Sequence, residues 1–246
     1  MPHAEGAGVA LHYLSHGEGP AVLLVHGMAS DAPAWGPALS QLAAAGLRAV
    51  ALDRRGYGES GAPEPYAATT VQEQAEDVAA LLRVIDAGPA LLVGEGFGAL
   101  VVLELLVRRP DLSRAAVLAD PPLHAYVPAS ATPALADERT LLERGLREGG
   151  PAAAVRAWLG EDGDADPTRA ERAVAAHGGF FADYAGQSSW SPSRGELRAI
   201  AVPVAVVTGP QSAPFVVEAA DAIARLVPGA ARAGEGDVVA ATLRLA

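Results

Sequence analysis

Apolar positions along the chain follow two alternating rhythms. Short, nearly unbroken apolar runs, such as Ala21–Val25 in "GPAVLLVHG", leave no polar face for solvent and read as interior strands. Between them, apolar residues recur at helical spacing. Over 71–87, "VQEQAEDVAALLRVIDA" brings Val71, Ala75, Val78, Leu81, Leu82 and Ile85 to one face, which predicts an amphipathic helix. Thr69 or Thr70 is placed to cap it, and Glu73 stands three residues after Thr70, as a capping box requires.

The same reading gives a strand over 8–14, a "HGEGP" turn, and a helix running from Pro33 or Trp35 to Ala45 with Gly46 as its terminator. A strand in "LRAVALD" leads into the glycine-rich loop "RRGYGESGAPEPY". "ALLVG" is a strand, "FGALVVLELLVRR" a mostly buried helix stopped by Pro110, and "RAAVLAD" a strand ending at Asp120. Strands and helices alternating at this interval predict an α/β fold, with a mostly parallel central sheet flanked by helices. The rhythm breaks after Asp120. Helix-like runs at 134–149, 151–159 and 168–177, with prolines and two aromatic clusters, separate it from a strand over 202–209, a helix over 213–229 and a short final segment. The expected organisation is a core over 1–121, a small, mainly helical cap over 122–195, and the rest of the core over 196–246.

Composition narrows the chemistry. The 246 residues are 50% hydrophobic, enough for a substantial core. The net charge is −11, every one of the 18 basic residues is arginine, and no arginine run exceeds two, so nucleic acid is a poor partner. The pairs Arg54–Arg55 and Arg108–Arg109 read as local salt-bridge or surface groups. Cysteine is absent, which removes thiolate nucleophiles, disulfides and zinc–thiolate sites. No clustered His/Asp/Glu spacing argues for a metal, and no cofactor is expected. Neither a signal peptide nor a membrane-length apolar run is visible, so the expected location is cytoplasmic. "GEGFGA" carries glycines at 94, 96 and 98 between a strand and a helix, but it lies on an interior strand and not in a first βαβ unit, against a nucleotide site.

Three motifs, "LLVHGMASDAPAW", "ALDRRGYGESGAP" and "LLVGEGFGAL", occur in an order that resembles the α/β-hydrolase superfamily over nearly the whole chain, nearest its esterase, proline iminopeptidase and haloperoxidase-like branch. The resemblance implies an α/β-hydrolase fold with a helical cap. It also implies that "GEGFG" is the nucleophile elbow G-x-S-x-G, in which Gly96 stands at the serine position. The family acid would follow the strand of "VPVAVVTGPQSAPF", where Ser212 falls nearest, or the preceding strand, where Asp120 matches. The family histidine would fall at Glu235, Gly236 or Asp237, and no histidine follows His177. On this reading the Ser-His-Asp triad is degenerate, while the backbone N–H groups of Met28 and Phe97 keep an oxyanion hole.

The candidate catalytic residues are therefore Glu95, Asp120, His124 and Glu235. Candidate ligand contacts are Met28, Gly96, Phe97, Trp158, Phe181 and Tyr184. The aromatics stand either under the cap or in the cap's own small core, and His26 reads as a structural residue of the oxyanion loop. The leading expectation is a small, largely apolar carbonyl- or phenol-containing ligand and non-hydrolytic acid/base chemistry, such as cyclisation or elimination. The alternatives are a catalytically inactive ligand-binding or partner protein, and a hydrolase in which a carboxylate activates water. Oligomeric state is not legible.

Overall fold

The structure, a computed structural model, describes residues 2–234 and 236–246, with the side chain of Asp162 also left aside. Eight strands form one sheet: β1 (His3–Glu5), β2 (Ala10–His16), β3 (Ala21–Val25), β4 (Arg48–Leu52), β5 (Ala90–Glu95), β6 (Ser113–Ala119), β7 (Val204–Val207) and β8 (Ala230–Arg232). Their spatial order is β1-β2-β4-β3-β5-β6-β7-β8. β1 and β2 join antiparallel, and β2 pairs antiparallel with β4, while every other pairing is parallel. The unbroken apolar runs are the central strands, with Val22, Leu23, Leu24 and Val25 all buried because helices cover both faces.

The early strand lies at Ala10–His16, two residues beyond the 8–14 expected, because β1 turns into it as a hairpin that the sequence pattern did not reveal. The helices α1 (Gly36–Ala44), α2 (Val71–Val84) and α3 (Phe97–Arg108) follow their predicted runs closely. The capping box at α2 is present: Glu73 N–H donates to Thr70 Oγ1 at 3.1 Å, and Thr70 N–H donates to the Glu73 carboxylate at 2.9 Å. From Phe97 to Leu106 every residue of α3 is buried, as its nearly continuous apolar sequence requires.

The cap region is helical. α4 (Pro128–Ala165) is interrupted at Gly149–Gly150 and Gly160, and α5 (Pro167–Ala175), α6 (His177–Gln187) and α7 (Arg194–Ala199) follow. α8 (Pro214–Leu226) and α9 (Val238–Leu245) return to the sheet, and α9 occupies the segment expected only as a short end. The cap has its own apolar cluster, in which Leu142, Ala154, Val155, Ala173 and Phe180 meet Ala29 of the core.

Arg54 and Arg55 take the salt-bridge side of the sequence reading and not the surface side, since both are paired and buried. Arg55 pairs with Asp77 (Nε to carboxylate oxygen, 2.6 Å). Arg54 reaches through the interior to the cap, donating to Asp183 at 2.7 Å and to Gln74 at 2.6 Å. It also donates to the carbonyls of His26 and Gly27, both at 2.8 Å. One guanidinium thereby ties α6, α2 and the loop after β3 together. A charge this deep is tolerable only when it is paired and fully hydrogen-bonded.

Candidate active site

The chain reverses its direction of travel across the sheet between β3 and β5, so the crevice beyond their carboxyl ends is the place where an open α/β sheet admits ligands. Gly96 lies there, between the last residue of β5 and the first of α3, at φ 54° and ψ −121°. Its own N–H is held by the Ala119 carbonyl of β6 at 2.9 Å. A left-handed φ costs any residue with a Cβ, and glycine takes it freely. A Cβ built at 96 would meet only the Gly27 Cα, at 3.6 Å, so a side chain would fit in space but not in conformation. Gly98 is required for another reason: a Cβ there would stand 2.2 Å from the Val25 carbonyl oxygen.

Phe97 and Met28 both line the cavity at this turn. Phe97 opens α3, so its N–H has no partner in the helix's own ladder and sits at the positive end of the helix dipole. Met28 follows Gly27 in the loop after β3. His26 anchors that loop: its Nδ1 lies 2.7 Å from the Gly27 carbonyl, and its Nε2 accepts the Arg54 N–H at 3.0 Å. The two contacts together put the proton on Nδ1. Burial, with the nearby Arg54 charge, pushes the His26 pKa well below the usual value and keeps the ring neutral.

Above the turn lies a cavity of about 680 Å³. Glu95, Asp120 and His124 line it, together with Met28, Gly96, Phe97 and Trp158. Glu95 ends β5 and is paired with Ala119 of β6, so Asp120, the next residue, emerges beside it on the neighbouring strand. Among the described residues, no hydrogen bond engages the Glu95 carboxyl. Burial raises its pKa and the Asp120 charge raises it further, against a lowering by Arg169. Asp120 itself has φ 46°, is held through its N–H to the Val207 carbonyl at 3.0 Å, and accepts a short hydrogen bond from the Ser212 hydroxyl. His124 packs against Phe215 with ring centres 5.2 Å apart; its Nδ1 is buried without a partner, and burial lowers its pKa.

Two expected ligand contacts are not brought to this cavity. Phe181 and Tyr184 pack against Phe180, with ring centres 5.3 and 6.3 Å apart, and serve the cap's own core. Both are half-buried and flank the buried Phe180 on α6. Glu235 lies outside the described residues. Ser60, far from the turn in function, donates to the Asp53 carbonyl and accepts from the His12 N–H. No hydroxyl–imidazole side-chain hydrogen bond occurs among the described residues.

The sequence reading missed Arg169, Glu138 and Ser30, all of which line the cavity. Trp158 donates its indole N–H to Glu138 at 2.9 Å, and burial raises the Glu138 pKa. No motif marks Arg169 or Glu138, which come from cap helices whose position over the elbow is a tertiary fact, and Ser30 lies in the motif "LLVHGMASDAPAW" after β3 without a signal of its own. No group of three or more metal-ligating side chains occurs among the described residues, and no helix among them is long and apolar enough to cross a membrane.

Comparison with known proteins places the fold. A model of the alpha/beta hydrolase family matches residues 22–242. An epoxide hydrolase from Caballeronia sordidicola is 37% identical over 108 residues, which cover 44% of this chain and 33% of that protein. The chain spans between 20% and 35% of the length of the epoxide hydrolases it matches. An alpha/beta hydrolase from Sphaerobacter thermophilus superposes with a TM-score of 0.78 at 24% identity, covering 94% of this chain and 91% of that one. The enol-lactonase from Burkholderia xenovorans superposes with a TM-score of 0.75 at 21% identity, covering 99% and 96%.

The named relatives are hydrolytic enzymes. That overturns the expectation of non-hydrolytic cyclisation or elimination chemistry, and likeness to these hydrolases runs against the descriptions degenerate triad and non-canonical hydrolase, although glycine still stands at residue 96. One elbow residue does not decide the reaction, because carboxylates set by the fold also bear on it.

Proposed function

We propose that this chain, which belongs to the alpha/beta hydrolase family, hydrolyses a small ester or lactone by the direct attack of water, in the esterase- and epoxide-hydrolase-like branch. The observation that carries the reading is the pairing of Glu95 and Asp120 at adjacent strand ends, facing the same cavity as the first N–H of α3.

The substrate carbonyl oxygen accepts from the Phe97 and Met28 N–H groups, whose fixed dipoles stabilise the negative charge that develops there. Water occupies the space above the Gly96 Cα. Glu95 takes one proton from that water as its oxygen bonds to the carbonyl carbon. The tetrahedral oxyanion then collapses, the bond to the leaving alkoxide breaks, and the proton passes from Glu95 to the leaving oxygen. A raised pKa suits this role, because a carboxylate with greater proton affinity is a stronger base. Asp120, fixed by Ser212, supplies part of that shift through its charge. His124, Trp158 and the apolar wall of the cap exclude bulk water and hold the acyl portion.

The reading is tested on a panel of short-chain 4-nitrophenyl esters, five- and six-membered lactones and terminal epoxides. Glu95→Gln lowers kcat by roughly 10²–10⁴ with KM little changed, the usual worth of a positioned general base. Wild-type turnover retained within threefold in Glu95→Gln removes Glu95 from this role, and no turnover of any panel member by the wild type removes the hydrolase reading.

A further inference from the structure

Seven buried side-chain polar atoms lack a hydrogen-bond partner among the described residues, and four of them belong to residues that line the cavity above Gly96: Ser30 Oγ, His124 Nδ1, Glu138 Oε1 and Arg169 Nε. Buried polar groups in folded proteins are nearly always satisfied, so a concentration of orphans around one cavity marks the groups a ligand completes. Arg169 is the most demanding of the four. Its guanidinium joins no ion pair among the described residues, although the chain carries 29 acidic residues against 18 basic ones.

The contrast with the buried arginines of the core and with the half-buried Arg172 beside Arg169 is direct. Arg54 is matched to Asp183 and Arg55 to Asp77. Arg172, one turn further along α5 than Arg169, is matched to Asp31. The carboxyls that share the cavity with Arg169 do not neutralise it: Glu138 is engaged by Trp158, Asp120 by Ser212, and Glu95 and Asp137 form no ion pair with it. Arg169 is nevertheless near enough for its charge to act on both Glu95 and His26, which puts it on the reacting side of the cavity.

We propose that Arg169 is the receptor for a carboxylate on the substrate, so that the molecule hydrolysed is an ester or lactone whose acyl chain ends in an acid. This rests on the hydrolase reading and deepens it. Leu135, Leu141, Leu159 and Phe215 supply an apolar wall of the cavity for the methylene chain that separates the two ends. A guanidinium offers the planar donor fork that matches a carboxylate, and removal from water strengthens the pair. The sequence expectation of a largely apolar ligand is thereby narrowed to one with a single anionic end.

Binding is measured apart from catalysis, by calorimetric titration of the full chain with hexanoate and with hexan-1-ol at constant ionic strength. Hexanoate binds at least about tenfold tighter than hexan-1-ol to the wild type, the worth of one charge-assisted contact. That preference disappears in Arg169→Gln and is partly retained in Arg169→Lys, with unchanged thermal midpoints confirming that both variants fold. In turnover, monomethyl adipate is preferred over methyl hexanoate by the wild type and not by Arg169→Gln. Equal binding of the two probes, binding of neither, or a preference that survives in Arg169→Gln overturns the proposal. A carboxylate preference without hydrolysis of either ester removes the hydrolase reading and leaves the Arg169 assignment standing, whereas hydrolysis without a preference does the reverse.

Discussion

Asp183→Ala tests the buried network that positions the loop after β3. Asp183 is fully buried and accepts hydrogen bonds from Gln74 Nε2 at 2.6 Å, Arg54 Nη2 at 2.7 Å and the Tyr57 hydroxyl at 2.7 Å. Truncation leaves the Arg54 charge in the interior with only neutral acceptors, the Gln74 side chain and the His26 and Gly27 carbonyls. Removing one partner of a buried ion pair costs about 3–5 kcal/mol, most of it the penalty of the charge left behind. For a chain of this size each kcal/mol lowers Tm by about 2–4 °C, so the expected fall is on the order of 6–20 °C. Urea unfolding followed by circular dichroism reads the same loss as a lower midpoint at unchanged slope. Removing the charge as well, in Arg54→Met with Asp183→Ala, costs less than the sum of the two single changes, because no unpaired charge remains. A single-variant loss below about 1 kcal/mol, or strict additivity in the double variant, would refute the argument that this guanidinium depends on Asp183.

Other expectations follow from the same geometry. Glu95 has a pKa raised by burial, so its contribution to stability is present in full below the unfolded carboxyl pKa and is lost as pH rises through the higher folded value. Glu95→Gln should therefore stabilise the fold at pH 8 and have no such effect at about pH 4, the unfolded carboxyl range; an equal change in unfolding midpoint at both pH values would show that Glu95 is not desolvated. Gly98→Ala should abolish folding or reduce stability by several kcal/mol, at least about 3, since its Cβ would collide with the Val25 carbonyl; normal expression and melting would contradict the close packing of α3 on β3. Thr70→Ala removes the capping box of α2 and should cost about 1 kcal/mol without changing KM, as measured by urea unfolding and steady-state kinetics.

Much of the fold was legible because local pattern and tertiary environment agree. An apolar run with no polar face has few places to go except an interior strand, and β3, β5 and β6 are such strands. α6 was less visible. Gly178, Gly179 and Gly186 depress its intrinsic helicity, and the segment read as an aromatic cluster. In the structure a Cβ at Gly179 would stand 2.5 Å from the Gly56 carbonyl oxygen, and one at Gly186 would stand 2.3 Å from that of Thr69. Those glycines are there to let the cap helix lie against the core, which is a reason no local pattern carries. The aromatics of the segment were assigned in part to the ligand for the same cause: Phe181 and Tyr184 face Phe180 in the cap, and only docking determines which face of α6 looks toward the cavity.

By itself the sequence determined the strand and helix alternation, the glycine at residue 96 and the capping of α2, since each depends on residues near one another in the chain. It did not determine the charge state or company of the site. Glu95 and Asp120 are 25 positions apart and meet only because β5 and β6 pair in a particular register. Arg169 and Glu138 enter from cap helices, and that Arg169 has no ion pair among the described residues, beside matched arginines, is visible only in the packed structure. Burial, field and unmet hydrogen bonds are properties of the packed assembly of distant segments, and tertiary structure alone fixes them.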